Sequence, residues 1–206
     1  MRFNHVIWDY DGTIFDTYPV MAAAFSTILG EYGFIEPTDT VVSHMKVSMR
    51  HTIEYYKACY GLDDVFLERF DTLIGQTAAI PFDGVLGLCR DIKKCGGTNY
   101  LFTHRGESAV RYFEKYGLIT DFEELITSKQ GFQNKPSPDA ILYLMDKHSF
   151  LSGDAIMIGD RDIDILAAQN AGIHNCYFTD RGGSSAIAEF NIDNFSELYN
   201  ILGINT

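Results

Sequence analysis

The sequence predicts an α/β fold: a parallel sheet covered by helices, with an all-helical domain inserted near its start. Three observations carry this. From Pro81 onward, short apolar runs alternate with stretches of helical spacing, a pattern that packs helices on the faces of a parallel sheet. Nothing between residues 17 and 79 alternates like a strand. The chain also opens on an apolar run, Phe3-Asn4-His5-Val6-Ile7-Trp8, that stops abruptly in Asp9-Tyr10-Asp11-Gly12-Thr13. These divide the 206 residues into a core, 1–16 and 81–206, and a helical insertion, 17–80.

The elements follow in order. Val20 to Tyr32 carries Met21, Ala24, Phe25, Ile28 and Leu29 at helical spacing, with Gly33 as the stop. Thr38 or Asp39 is expected to cap a second helix, and Arg50–Tyr60 and Asp63–Ala79 read as two more around Gly61. The set Tyr55, Tyr56, Tyr60 and Phe66 reads as the core of this insertion. Beyond it, Asp83 is expected to cap a helix through Lys94, closed by Gly96-Gly97. Thr98–Thr103 reads as a strand, Glu107–Tyr116 as a helix and Glu124–Thr127 as a short strand. Ser137-Pro138 has the form of a capping serine with proline at the first helical position. Ala155–Ile158 is then a strand, Arg161–Asn170 a helix, Asn175–Phe178 the last core strand and Phe195–Leu202 a closing helix.

Composition excludes several classes of partner. A formal charge of −12 and an isoelectric point near 4.8 disfavour nucleic acid and anionic membranes. No apolar run approaches the roughly 20 residues that span a bilayer, and the start of the chain has no signal-peptide layout. Cys59, Cys89, Cys95 and Cys176 lack paired metal spacing and read as buried thiols in a reducing compartment. A cytoplasmic protein, monomeric by default, is expected.

Each predicted strand end carries a polar feature. Asp9 and Asp11 stand two residues apart before Gly12, whose permissive backbone lets the chain turn sharply. Close carboxylates are unfavourable unless a cation sits between them or one holds a proton. They suit a nucleophile with an acid/base beside it, although on this pentapeptide alone a polar turn is an equal reading. Thr103 ends the second strand, where a hydroxyl and the following amides can hold an anionic oxygen. Lys135 precedes Pro136-Ser137-Pro138-Asp139, and Asp160 and Asp164 follow Gly159, four apart and therefore expected on one helix face. Taken singly, each has an ordinary structural reading: a hydroxyl, a solvated lysine, helix-start acids. Together Asp9, Asp11 and Asp160 with Thr103 and Lys135 place three carboxylates, a hydroxyl and a lysine on one sheet edge, where clustered acids call for a divalent cation, Mg2+ by ligand type.

The series Asp9-x-Asp11-Gly12-Thr13, Thr103, Lys135-Pro136, Gly159-Asp160-x-x-x-Asp164 resembles the haloacid dehalogenase superfamily. The likeness runs over essentially the whole chain and is nearest to the phosphoglycolate phosphatase and β-phosphoglucomutase-like subgroup. It implies a Rossmann-like core with a helical cap, and a Mg2+-dependent phosphatase acting on a small phosphorylated molecule. It further implies that Asp9 is the nucleophile forming an aspartyl-phosphate and that Asp11 is the acid/base. The metal ligands would be Asp9, the Asp11 backbone carbonyl and Asp160, with Asp164 orienting the metal shell. Gly12, Thr103, the His104 amide and Lys135 would bind phosphate. Superfamily members that cleave carbon–halogen or phosphonate bonds lack an acid at the Asp11 position, so phosphoryl transfer is favoured.

Two stretches depart from the pattern. His104 and Arg105 follow the second-strand Thr, where a small residue or Asn is common; His104 could face substrate or be structural, and Arg105 is expected at the rim. In the cap, His44-Met45-Lys46-Val47-Ser48-Met49-Arg50 resembles a substrate-specificity loop that usually has glycine where Val47 stands. Lys46 and Arg50 are candidate contacts for the leaving group, against ordinary solvated helix charges. A sugar phosphomutase is the alternative enzyme, and a non-catalytic binding protein on the same fold is the alternative of another class.

Overall fold

The computed structural model describes residues 1–76 and 79–204. It separates into two compact units, Met1–Phe15 with Pro81–Thr206, and Asp16–Ile80. The first is built on six parallel strands: β1 (His5–Trp8), β4 (Thr98–Phe102), β5 (Phe122–Ile126), β6 (Ala155–Gly159), β7 (His174–Phe178) and β8 (Phe190–Ile192), in the spatial order β5-β4-β1-β6-β7-β8. Counting only these strands along the chain, the order is 3-2-1-4-5-6, the doubly wound Rossmann arrangement, whose ligand crevice lies where the order reverses. Here that point falls between β1 and β6.

The register makes the strands' carboxyl ends flush. Trp8 pairs with Leu101 on one side and Ile158 on the other, and the Asp9 amide continues the ladder to the Ile158 carbonyl at 2.9 Å. Asp9, Thr103 and Asp160 therefore emerge at nearly one level. The strands read as apolar runs because both sheet faces are covered: Val6, Ile7, Trp8, Leu101, Ile156, Met157 and Ile158 are all fully buried. On one face Tyr100, Phe102, Ile141, Leu144 and Ala168 share a cluster with Ile7 and Met157.

Helices α5 (Val85–Lys94), α6 (Glu107–Lys115), α7 (Asp139–Lys147), α8 (Asp162–Ala171) and α9 (Ser196–Leu202) belong to this unit. Several starts differ from the expected ones. Gly84, at φ 79°, rather than Asp83, occupies the cap of α5. Pro138 is the cap of α7 rather than its first residue, with Ser137 Oγ accepting from the Asp139 amide at 3.3 Å. The expected last strand is followed by another, β8, at the sheet edge. Cys89 and Cys176 are buried as expected, whereas Cys59 and Cys95 are exposed.

The second unit holds α1 (Tyr18–Glu31), α2 (Thr38–Val47), α3 (Met49–Tyr60) and α4 (Asp64–Gln76). Its core joins Phe25, Tyr56, Phe66 and Phe70 to Ile28, Leu29 and Val41, with Phe25 edge-on to Phe66 and Phe70. Neither Thr38 nor Asp39 caps α2; that place is taken by Pro37. Asp63 accepts the Phe66 amide at 2.9 Å and so caps α4. The helix expected to reach Ala79 is described only to Gln76, and residues 77–78 lie outside the described residues. Two short strands, β2 (Phe15–Asp16) and β3 (Ile80–Pro81), pair where the chain passes between units. Among the described residues, no helix is long and apolar enough to cross a membrane.

Candidate active site

The first acidic pair is shaped by the turn after β1. Gly12 takes φ 75°, its amide donates to the Phe15 carbonyl at 2.8 Å, and the Phe15 amide donates to the Tyr10 carbonyl at 3.0 Å. A side chain at position 12 would strain this reversal. Tyr10 is fully buried against the rings of Phe15 and Phe113. Its packing anchors the segment that carries Asp9 and Asp11.

Lys135 is the centre of charge. Its Nζ lies 2.5 Å from Asp9 Oδ1 and 2.7 Å from Asp164 Oδ1, and none of the three side chains is more than 2% exposed. The ammonium also stands 4.8 Å over the Phe102 ring. Asp164 reaches this position from the first turn of α8, with its Oδ2 accepting the Arg161 amide at 3.1 Å. That packing requires glycine at 159, because a Cβ there would fall 2.3 Å from Asp164 Cβ. Contrary to the expectation from their spacing, Asp160 does not share a helix face with Asp164 but precedes α8; strand end and first helical turn bring them together instead.

Asp9, Asp160 and Asp164 each present an oxygen within 4.8 Å of the others, and all three are buried. Lys135 pairs with two of these carboxylates, Asp9 and Asp164, and Arg161 Nε lies farther off, at 3.8 Å from Asp160 and 3.9 Å from Asp164. Burial, and then the Asp164 charge, raise the Asp9 carboxyl to about 6 despite Lys135 and Arg161. Asp9 Oδ2 is buried without a hydrogen-bond partner, which in a folded interior is costly. An all-oxygen, electron-rich set of this kind fits a hard divalent cation.

The second strand end holds Thr103, 2% exposed, with its amide on the Ile126 carbonyl at 2.9 Å. Its Oγ1 accepts the Arg105 amide at 3.1 Å. His104 Nε2 accepts the Lys135 backbone N–H at 3.0 Å. Burial, with Lys135 and Arg161 nearby, lowers this imidazole to about 4, so it is neutral and suited to accept. Of the two roles open to His104, this contact is structural: it anchors the segment that delivers Lys135.

Arg105 departs furthest from expectation. It is not a rim residue but forks onto Asp11, with Nε at 2.8 and 2.9 Å from Oδ1 and Oδ2 and a terminal nitrogen 2.7 Å from Oδ1. Sequence reasoning missed this pair because the partners lie 94 positions apart.

In the helical unit, Lys46 Nζ lies 5.4 Å over the Tyr18 ring. Arg50 pairs with Glu54 at 2.8 Å along α3. Ser48 caps that helix by accepting the His51 amide at 2.9 Å.

The model of the haloacid dehalogenase-like hydrolase family matches residues 6–178. The chain belongs to this family. A phosphoglycolate phosphatase of Vibrio parahaemolyticus is 23% identical, over 97% of this chain and 96% of that protein. A hydrolase structure from Streptococcus pneumoniae is 33% identical with a TM-score of 0.71, covering 99% of this chain and all of that one at 100%. A HAD family hydrolase from Deinococcus radiodurans, solved with bound phosphate and sodium, shares the fold at TM-score 0.82 and 17% identity, covering 98% and 96%. The chain is a HAD-family phosphatase.

Proposed function

We propose that this phosphatase is Mg2+-dependent and hydrolyses a small phosphomonoester of the phosphoglycolate type through an aspartyl-phosphate. The observation that carries the reading is the buried cluster of Asp9, Asp160 and Asp164 at the switch point of the sheet, with Lys135 paired to Asp9 and Asp164. Clusters of this kind suit phosphoryl transfer, in which catalysis is chiefly positioning and charge stabilisation.

In this reading an Asp9 carboxylate oxygen attacks phosphorus and the bond from phosphorus to the leaving alcohol's oxygen breaks. Asp11 gives its proton to that oxygen. The Asp11 carboxylate then takes a proton from a water that attacks the phosphorus, and the Asp9–phosphoryl bond breaks to release phosphate. Lys135, Thr103 Oγ1 and the amides of Gly12 and His104 hold the phosphoryl oxygens. Asp9, Asp160 and the Asp11 backbone carbonyl would hold Mg2+, which when bound neutralises charge on the phosphoryl group and the attacking carboxylate. Asp164 positions Lys135 beside the cluster. Residues 17–80 serve as the cap, and Lys46 and Arg50 are its candidate contacts for the leaving group.

The test is phosphate release from a panel of phosphomonoesters, phosphoglycolate and sugar phosphates included, with Mg2+ and with EDTA. The reading expects Mg2+-dependent release from at least one. No release from any would sink it, and isomerisation of a sugar phosphate without net release would assign a phosphomutase instead.

A further inference from the structure

Arg105 is built into the core unit more firmly than a helix-start arginine needs to be. Its side chain is 16% exposed and its partner Asp11 21%. Its amide donates to Thr103 Oγ1 at 3.1 Å, and its carbonyl accepts the Ser128 amide at 2.9 Å. The backbone is thus tied to β4 on one side and to the turn after β5 on the other. The guanidinium stands 5.2 Å over the Tyr10 ring, itself fully buried. A planar fork fixed at its root and packed on an aromatic face has little rotamer freedom left to lose, and it imposes its plane on a carboxylate.

Asp11 has the opposite problem. It sits in the reversal after β1, and two torsions separate its carboxylate from the backbone. Proton transfer to a leaving oxygen and from a water needs that carboxylate held in reach, and a displacement of about 1 Å can cost on the order of 10²-fold in rate. We propose that Arg105 is a positioning residue for Asp11: its fork fixes the orientation of the carboxylate that performs both proton transfers. The inference rests on the acid/base role assigned to Asp11 above. It assigns Arg105 no contact with substrate. A substrate-binding arginine would show itself in KM, and one that serves only the fold would show itself in stability.

The experiment is a double-mutant cycle in the full chain with Mg2+, using the best substrate of the panel. Arg105→Gln is expected to lower kcat on the order of 10²-fold with KM nearly unchanged and the thermal midpoint close to wild type. In an Asp11→Asn background the same substitution is expected to change kcat by less than about twofold, because residues acting as a unit are non-additive. Guanidinium ion is expected to restore part of kcat to Arg105→Ala but none to the double variant. Arg105→Lys, which keeps the charge but not the fork, is expected to fall between Gln and wild type. Multiplying losses, a loss confined to KM, or failure of all three Arg105 variants to fold would overturn the inference. An inactive wild type would instead overturn the phosphatase reading, so the two failures are distinguishable.

Discussion

The charges of the two units are handled in opposite ways. In the core, Lys135 is wholly buried between Asp9 and Asp164, and Arg105 is largely enclosed with Asp11. In the helical unit, Arg50 and Glu54 pair on a helix surface with side chains 88% and 63% exposed. Burying an ion is expensive, and attraction in a low-dielectric interior offsets that cost only with close geometry. An exposed i,i+4 pair loses almost no hydration and gains roughly 0.3–0.5 kcal/mol. Core charges are thus held against the preference of the fold, a placement that clusters at reacting sites.

Substitutions sharpen that contrast, beginning with the nucleophile. Asp9→Asn is expected to lower kcat by at least about 10³-fold, with the far-ultraviolet dichroism spectrum unchanged; retained turnover would break the assignment. Next, Lys135→Ala leaves Asp9 and Asp164 buried without their shared cation. In EDTA, urea unfolding should show a loss of about 3–5 kcal/mol, and a loss under 1 would mean the cluster is far better solvated than its burial suggests.

The raised Asp9 carboxyl gives a pH dependence in metal-free protein. The folded state holds the proton more tightly than the unfolded chain between the ordinary 3.8 and about 6. Wild type should therefore lose stability relative to Asp9→Asn as pH rises through that window, by about 3 kcal/mol in all, and no further above it. A difference that stays flat between pH 4 and 7 would contradict the burial argument. At the other extreme, Arg50→Ala should shift stability by no more than about 0.5 kcal/mol. A larger loss by chemical denaturation would show that the helical unit depends on its surface ions after all.

Much of the core was legible because its signals are local. The runs at Val6–Trp8, Tyr100–Phe102 and Ile156–Ile158 each announce a buried strand, and a polar group follows each one. Since parallel strands end on one edge, Asp9, Thr103 and Asp160 had to converge. β8 escaped notice because Phe190-Asn191-Ile192 is a three-residue edge strand with too little sequence for a period to show. Helix starts slipped by a residue or two at Gly84, Pro138 and Arg161, where the residue completing the cap competes with equally good neighbours. The Arg105–Asp11 fork was out of reach for a different reason. It depends on how the turn after β1 faces the loop after β4, and no periodicity encodes the distance between two loops. His104 was undecided for the same reason: its partner, the Lys135 amide, is supplied by a distant loop.

In the proposed mechanism Asp9 becomes phosphorylated and Asp11 governs its release. The most direct measurement uses Asp11→Asn, mixed with Mg2+ and the best substrate, acid-quenched, digested and examined by mass spectrometry. One phosphoryl group is expected on the peptide carrying Asp9, persisting far longer than in wild type and absent from Asp9→Asn/Asp11→Asn. A phosphoryl group on any other residue, or an unmodified Asp9 peptide from an enzyme that still turns over, would contradict it.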